Sequence, residues 1–504
     1  CINPNYNLFY KGFTLGILVS AIIATLNIIL TPIIVHNLGL ESYGIIGIYT
    51  TWVMVFSIID TAISKTASRE FGKLIGKNKD YKFVHNLFKA SEFLYFIIVF
   101  LFLILFIALL TFIFFLEIKF ATEISANLFI LLAISGLCQL LSNFYSSCVI
   151  GLQRQDISSY IFGITGVTRI LSLIILLKYY NIELTEFFLI QTIFFFIQIL
   201  VSRLVLKKKL IKIKYKNKIK YVYLKVLIKK SIIMVGIGVS GIVASNFDKI
   251  ILSIFIQLKD FGLYSLAWVI ASSMFLIAMP FTLGIEARVA NAVGSKGKIS
   301  IVDVMSKGTF IFYGLLIIIA LNIMTNIQEI IDIWLNLTSD IYILTKITIF
   351  MIIGSIFVSC SYALSSLMYC LEKSTLILRV NYLILAFYLP ILCIAIYKFN
   401  MLGAAIAWAF YGFLIYIIYL YLLLKTTQSY GIIKILNINI LIPLTISFII
   451  DKIFNYFIID LTSDKLLIMC IIFFKIICAL LILFIIYRSL YSNNKILEIL
   501  RIRA

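Results

Sequence analysis

Stretches of about 20 consecutive apolar residues recur from one end of this 504-residue chain to the other, and no other feature constrains its fold as tightly. Each is long enough to cross a hydrocarbon core of about 30 Å as a helix. Inside a bilayer every backbone N–H and C=O must find its partner within the protein, which leaves helices or a closed barrel. The runs are continuously apolar and lack the alternation of barrel strands, so the expected fold class is an all-α integral membrane protein. Composition agrees: 63% of residues are hydrophobic and 13% charged, against roughly 45–50% and about 25% in soluble domains.

Polar breaks and Gly/Pro punctuation divide the chain into about fourteen spans, at 12–36, 43–64, 93–116, 125–150, 158–178, 184–205, 231–256, 262–285, 309–326, 341–370, 375–397, 400–424, 435–450 and 465–487. An even number puts both termini on one side. With the N-terminus in the cytoplasm, 32 of the 43 basic residues fall in inside loops and seven outside, while twelve of the 22 acids lie outside. By the positive-inside rule both termini are expected to be cytoplasmic. The net charge of +21 is then a topology signal and calls for no nucleic-acid partner.

Several function classes drop out. The longest outside loop, Asn326 to Asp340, is too short for a catalytic domain. The long inside stretches contain no GxxxxGK[ST] loop, so no ATP-binding cassette lies in this chain. The eight cysteines sit mostly in apolar runs without CxxC spacing and read as small packing residues, neither disulfides nor metal ligands. Two histidines are too few for a zinc site, and no metal or other cofactor is expected. The first apolar run is long, lacks a small-residue cleavage site and leads straight into a second, so no cleavable signal peptide is expected in it.

The chain carries an internal repeat. Leu40-Glu-Ser-Tyr-Gly-Ile-Ile matches Leu258-Lys-Asp-Phe-Gly-Leu-Tyr, Arg69 matches Arg288, and Ser146-Ser147 before Gly151-Leu152-Gln153-Arg154 matches Ser365-Ser366 before Cys370-Leu371-Glu372-Lys373, all at an offset of 218 or 219. Both copies start inside, so the repeat is parallel. The expected domains are an N-terminal six-helix lobe (1–205), a basic cytoplasmic linker (206–230), a second six-helix lobe (231–424), and two extra helices with a tail (425–504). Two such lobes around a cleft are the architecture of an alternating-access transporter.

The segments "IIDTAISKTASRE" (Asp60 through Arg69), "FDKIILSIFIQLKDFGLYSLAW" and "MLGAAIAWA", together with Tyr43-Gly44 after the first span, resemble the polysaccharide-transporter branch of the MOP (multidrug/oligosaccharidyl-lipid/polysaccharide) superfamily, most nearly the Wzx-type O-antigen and capsule repeat-unit flippases. The resemblance runs from span 1 through span 12. It implies translocation of an undecaprenyl-diphosphate-linked oligosaccharide between leaflets of the bacterial inner membrane, through a central, often cationic, cavity.

A charge at the bilayer centre costs roughly 2.5–3.5 kcal/mol on insertion scales, so each one needs a reason. Arg169 lies in the middle of span 5, and Asp248 and Lys249 are adjacent in span 7. Neighbours on a helix point about 100° apart, so the two need not pair, and Lys249 is free to snorkel toward the surface. Asp60 sits in span 2, and Arg69 and Arg288 end repeat-equivalent helices at the expected cytoplasmic mouth, with Glu286 close to Arg288. Arginine suits a diphosphate because its fork binds phosphate oxygens bidentately. Arg69, Arg169, Lys249 and Arg288 are therefore the candidate substrate-binding residues, and Asp60 and Asp248 the candidates for coupling or charge tuning. Glu286, Arg379 and Lys475 are secondary: Arg379 suits snorkelling, and Lys475 either an interhelical bond or a polyprenyl groove.

Three functions compete: a lipid-linked oligosaccharide flippase, a cation-coupled multidrug exporter of the same superfamily, and a membrane enzyme such as an O-antigen polymerase. The intramembrane charge is mostly basic, which suits an anionic substrate, and the large periplasmic loop of the polymerases is missing. A non-enzymatic, monomeric carrier is expected, with membrane lipids and other polysaccharide-assembly proteins as partners.

Overall fold

The computed structural model describes residues 6–76, 85–97, 99–100, 103–104, 125–152, 154–180, 182–210, 221–294, 298–336, 340–371, 373–427, 430–458 and 465–491. Every regular element among them is an α-helix. Two contact-dense units divide the chain, Cys1–Gly262 and Leu263–Ala504. The first holds α1 (Tyr6–Gly76), α2 (residues 85–97), α3 (Ala126–Gly151), α4 (Gln155–Tyr179), α5 (Leu184–Leu210) and α6 (Tyr221–Phe255). α7 (Leu258–Gly294) leads into the second, with α8 (Lys298–Thr325), α9 (Ile327–Leu335), α10 (Ile341–Cys370), α11 (Ser374–Thr427), α12 (Tyr430–Ile458) and α13 (Lys465–Tyr491).

Two helices are too long for one crossing. At 1.5 Å per residue the 71 residues of α1 and the 54 of α11 far exceed a bilayer, and each bends midway. α1 turns at Gly39, whose φ of 85° is open to a residue without a Cβ. α11 turns at Asn400, φ 49°, and just beyond it the Gly403 Cα lies against the Ala395 carbonyl, leaving no room for a side chain. The expected spans 1 and 2, and 11 and 12, are thus arms of continuous helical runs. Among the described residues nine helical segments are long and apolar enough to cross a membrane, and those containing these bends hold two crossings each.

Two expected loops are partly helical. Asn326 to Asp340 contains α9, which buries Ile327, Ile331 and Leu335 on one face and ends at a left-handed Asn336. The basic stretch Arg203 to Lys230 is helix at both ends, α5 running to Leu210 and α6 starting at Tyr221; residues 211–220 lie outside the described set.

Burial is inverted relative to a water-soluble protein. Phe473, Phe484, Ile485 and Leu383 are over 60% exposed on helices, whereas Ser135, Thr309, Ser355, Ser361 and Asn439 are fully enclosed. Apolar surface faces lipid, and small polar residues pack helix against helix.

In the first unit α1 packs on α3, α4 and α6, and α3 on α5. A core of Phe71, Phe88, Tyr95, Phe144 and Tyr145 fills the end near Arg154. There the Tyr145 hydroxyl donates to Glu92 Oε1 at 2.7 Å, and the same oxygen accepts from Arg203 at 3.1 Å, tying α2, α3 and α5. In the second unit α12 and α13 pack on α8 through Phe310, Ile318, Ile446, Ala479 and Leu483. Two polar contacts secure this layer. Asn439 Nδ2 donates to the Ser306 carbonyl (3.0 Å) and Thr309 Oγ1 (2.8 Å), and Lys475 Nζ reaches Asp451 (3.1 Å) and Asn326 Oδ1 (3.3 Å).

Candidate functional site

The interior of the first unit concentrates polar groups at mid-helix depth. Tyr49, on the second arm of α1, is 6% exposed; its hydroxyl donates to Gln139 Oε1 (2.8 Å) and lies 3.1 Å from Ser135 Oγ, both on α3. Its ring stands edge-on to Phe188 of α5. Arg169 of α4 is half-buried and lies close to Tyr49. The guanidinium carbon sits 4.7 Å from the centroid of Phe195 on α5. Among the described residues no carboxylate pairs with Arg169. A cation in mid-membrane whose contact is the face of a ring keeps its fork of donors available to an anion.

One turn below, the Thr165 hydroxyl bonds the Ile161 carbonyl and lies 3.5 Å from Gln198 Oε1, and Gln198 Nε2 reaches Ser146 Oγ at 3.4 Å. Gln198 and Ser146 border a cavity of about 320 Å3 between α1, α3, α4 and α5. Its wall includes Ser20, Asn143, Ser147 and Phe162 and, among the described residues, no charged side chain. None of these residues is a candidate on sequence grounds. The signal in reach is Ser146-Ser147, which marks the repeat, and the spacing of Ser158, Phe162, Thr165 and Arg169, which puts them along one side of α4.

Asp248 and Lys249 of α6 are both enclosed, and they do pair: Lys249 Nζ lies 3.6 Å from Asp248 Oδ1 and donates to the Ser245 carbonyl at 2.5 Å. Lys249 does not snorkel; it is held at depth on its own helix. A helix-interior carbonyl and a neighbouring carboxylate are nearer than any headgroup, and together they offset the burial of the ammonium.

Lys475 takes the interhelical role, bridging α13 to α12 through Asp451 and to the start of α9 through Asn326. Arg379 is exposed in the first arm of α11, and Lys346 rests over the Tyr342 ring at 4.1 Å. Asp60 and Arg69 lie on α1, and Glu286 and Arg288 on α7, but their side chains are outside the described set.

By sequence, no family model and no curated protein matches the chain. Solved structures match it by shape. Lipid II flippase MurJ in an inward closed conformation aligns at a TM-score of 0.67 over 96% of this chain and 100% of its own, with 17% identity. An inward-facing multidrug resistance MATE family transporter of the MOP superfamily aligns at 0.64 over 81% and 96%, with 13% identity. The MATE multidrug transporter DinF-BH aligns at 0.59 over 83% and 95%, with 13% identity. At such identities the likeness is one of fold, and these neighbours are transporters rather than enzymes. The chain is a multi-span membrane protein with the helical fold of the MOP-superfamily transporters.

Proposed function

We propose that this protein is a flippase that carries undecaprenyl-diphosphate-linked oligosaccharide repeat units from the cytoplasmic to the periplasmic leaflet of the bacterial inner membrane, supplying O-antigen, capsule or exopolysaccharide assembly. Arg169 carries the reading. It is a mid-membrane guanidinium with no acid against it among the described residues, resting on Phe195 and close to Tyr49, whose hydroxyl bonds Gln139. A diphosphate is well hydrated, and moving it through hydrocarbon requires protein cations in place of water, where the low dielectric strengthens each contact.

Transport is by alternating access, with both termini and the Arg203 to Lys230 stretch in the cytoplasm. Arg69 and Arg288 receive the headgroup from the cytoplasmic leaflet, with Glu286 tempering the charge of Arg288, and Arg169 then holds it. Lys249 joins when its pairing with Asp248 opens. Asp248, with Asp60, limits affinity so that the headgroup leaves on the far side, since a site that binds both states equally tightly shifts nothing. The neighbour named as a lipid II flippase supports a lipid-linked substrate. The neighbours named as multidrug transporters support the exporter reading, which needs an acid for a cationic drug; Asp248, the enclosed acid of α6, already faces Lys249.

Complementation tests this. Expressed in a flippase-deficient strain with defined glycan clusters, the protein restores surface glycan from at least one cluster. Normal abundance without glycan from any cluster, together with resistance to cationic dyes, overturns the flippase reading in favour of the exporter.

A further inference from the structure

We infer that the cavity of the first unit between α1, α3, α4 and α5 is a saccharide subsite that takes the sugar next to the diphosphate. The inference rests on the flippase reading and deepens it. The cavity measures about 320 Å3, within the roughly 300–1,000 Å3 range of small-molecule sites and enough for a single sugar ring.

Its lining is selective. Ser20, Asn143, Ser146, Ser147 and Gln198 supply hydroxyls and amides, each able both to donate and to accept, and Phe162, 40% exposed, supplies an apolar face. A pyranose is built to the same plan, with hydroxyls around its rim and an apolar C–H face. Among the described residues the lining has no carboxylate or ammonium, so an ionic ligand finds no counter-charge and must shed its hydration without compensation. A neutral polyhydroxylated ring loses nothing of the kind.

Placement links the cavity to the cation. Phe162 and Arg169 stand seven residues apart on α4, about 10 Å along the axis and nearly in line around it. Thr165, one turn from Arg169 on α4, lies 3.5 Å from Gln198 Oε1, and Gln198 reaches Ser146 on the cavity wall. A diphosphate with its glycosidic bond can bridge that span, so a headgroup on Arg169 directs its first sugar into the cavity. Gly16 closes one wall: a Cβ there would come within 3.2 Å of Ser159 Oγ.

The test uses the purified full chain in lipid nanodiscs, titrated with undecaprenyl diphosphate and with undecaprenyl-diphosphate-linked N-acetylglucosamine. The wild type binds the glycosylated lipid about tenfold more tightly, the ratio expected for one or two net hydrogen bonds and a ring contact. Asn143→Ala with Ser147→Ala brings that ratio to within about twofold, and so, separately, does Phe162→Leu, which keeps an apolar residue at the exposed site. Arg169→Ala weakens both lipids and leaves the ratio intact. A full tenfold preference in both cavity variants, or equal wild-type affinity for the two lipids, overturns the subsite while the diphosphate site stands. Failure of the wild type to bind either lipid overturns the flippase reading and the subsite with it.

Discussion

Gly44 and Gly262 approach each other reciprocally: a Cβ on Gly44 would collide with the Leu258 carbonyl, a Cβ on Gly262 would collide with the Leu40 carbonyl, and each would lie 3.3 Å from the other glycine's amide nitrogen. These are matched positions of the internal repeat, Leu40 through Gly44 against Leu258 through Gly262. Each segment thus presents to the other the same backbone surface that it receives. Backbone meets backbone, so no flexible side chain can yield.

Gly44→Ala and Gly262→Ala should therefore each destabilise the protein by about 1–3 kcal/mol through overpacking, read as a lowered midpoint in thermal unfolding of the detergent-solubilised chain. Gly241→Ala, where nothing lies within 4 Å of the added Cβ, serves as the control and should shift it little. Equal stability of all three variants would contradict the close approach.

Lys475 and Asp451 make a second, separable prediction. Lys475 is 3% exposed and Asp451 20%. Lys475→Met leaves a carboxylate partly buried without its cation and should cost about 3 kcal/mol, the low end for breaking a buried pair because Asp451 reaches the surface. Adding Asp451→Asn should recover most of that loss. A double variant no more stable than the single one would show that the pair contributes through packing alone.

Much of this is legible in the chain. Apolar runs mark the spans because lipid leaves no other option, and Arg169 stands out because an unexplained cation in such a run is costly. What the sequence hides is contact. Gly39 reads as a loop residue between spans, yet it bends a continuous helical run. Lys475 reads as a structural residue or a groove one until Asp451 and Asn326, 24 and 149 residues away, are brought against it. Lys249 reads as a side chain able to reach outward, and a carbonyl one turn back captures it instead. The cavity serines other than the repeat-marking Ser146-Ser147 are mute in sequence, because a membrane serine most often bonds its own helix and only helix rotation decides which ones face a cavity.

Topology is testable without structure. A periplasm-dependent reporter fused after Lys216 should stay silent, and a cytoplasm-dependent one should be active, because the basic stretch around it is retained inside. The opposite pattern would reverse the orientation.

The most direct measurement is flipping itself. The full chain is reconstituted in liposomes with a fluorescent undecaprenyl-diphosphate-linked oligosaccharide, and the fraction reaching the opposite leaflet is followed by quenching from outside. Wild-type protein should exchange the lipid, Arg169→Ala should reduce exchange at least about 100-fold, the order of a lost charge-assisted bidentate contact of some 3 kcal/mol, and Arg169→Lys should retain part of it. Wild-type rates in Arg169→Ala, at equal protein incorporation, would contradict the assignment of Arg169 as the group that holds the diphosphate.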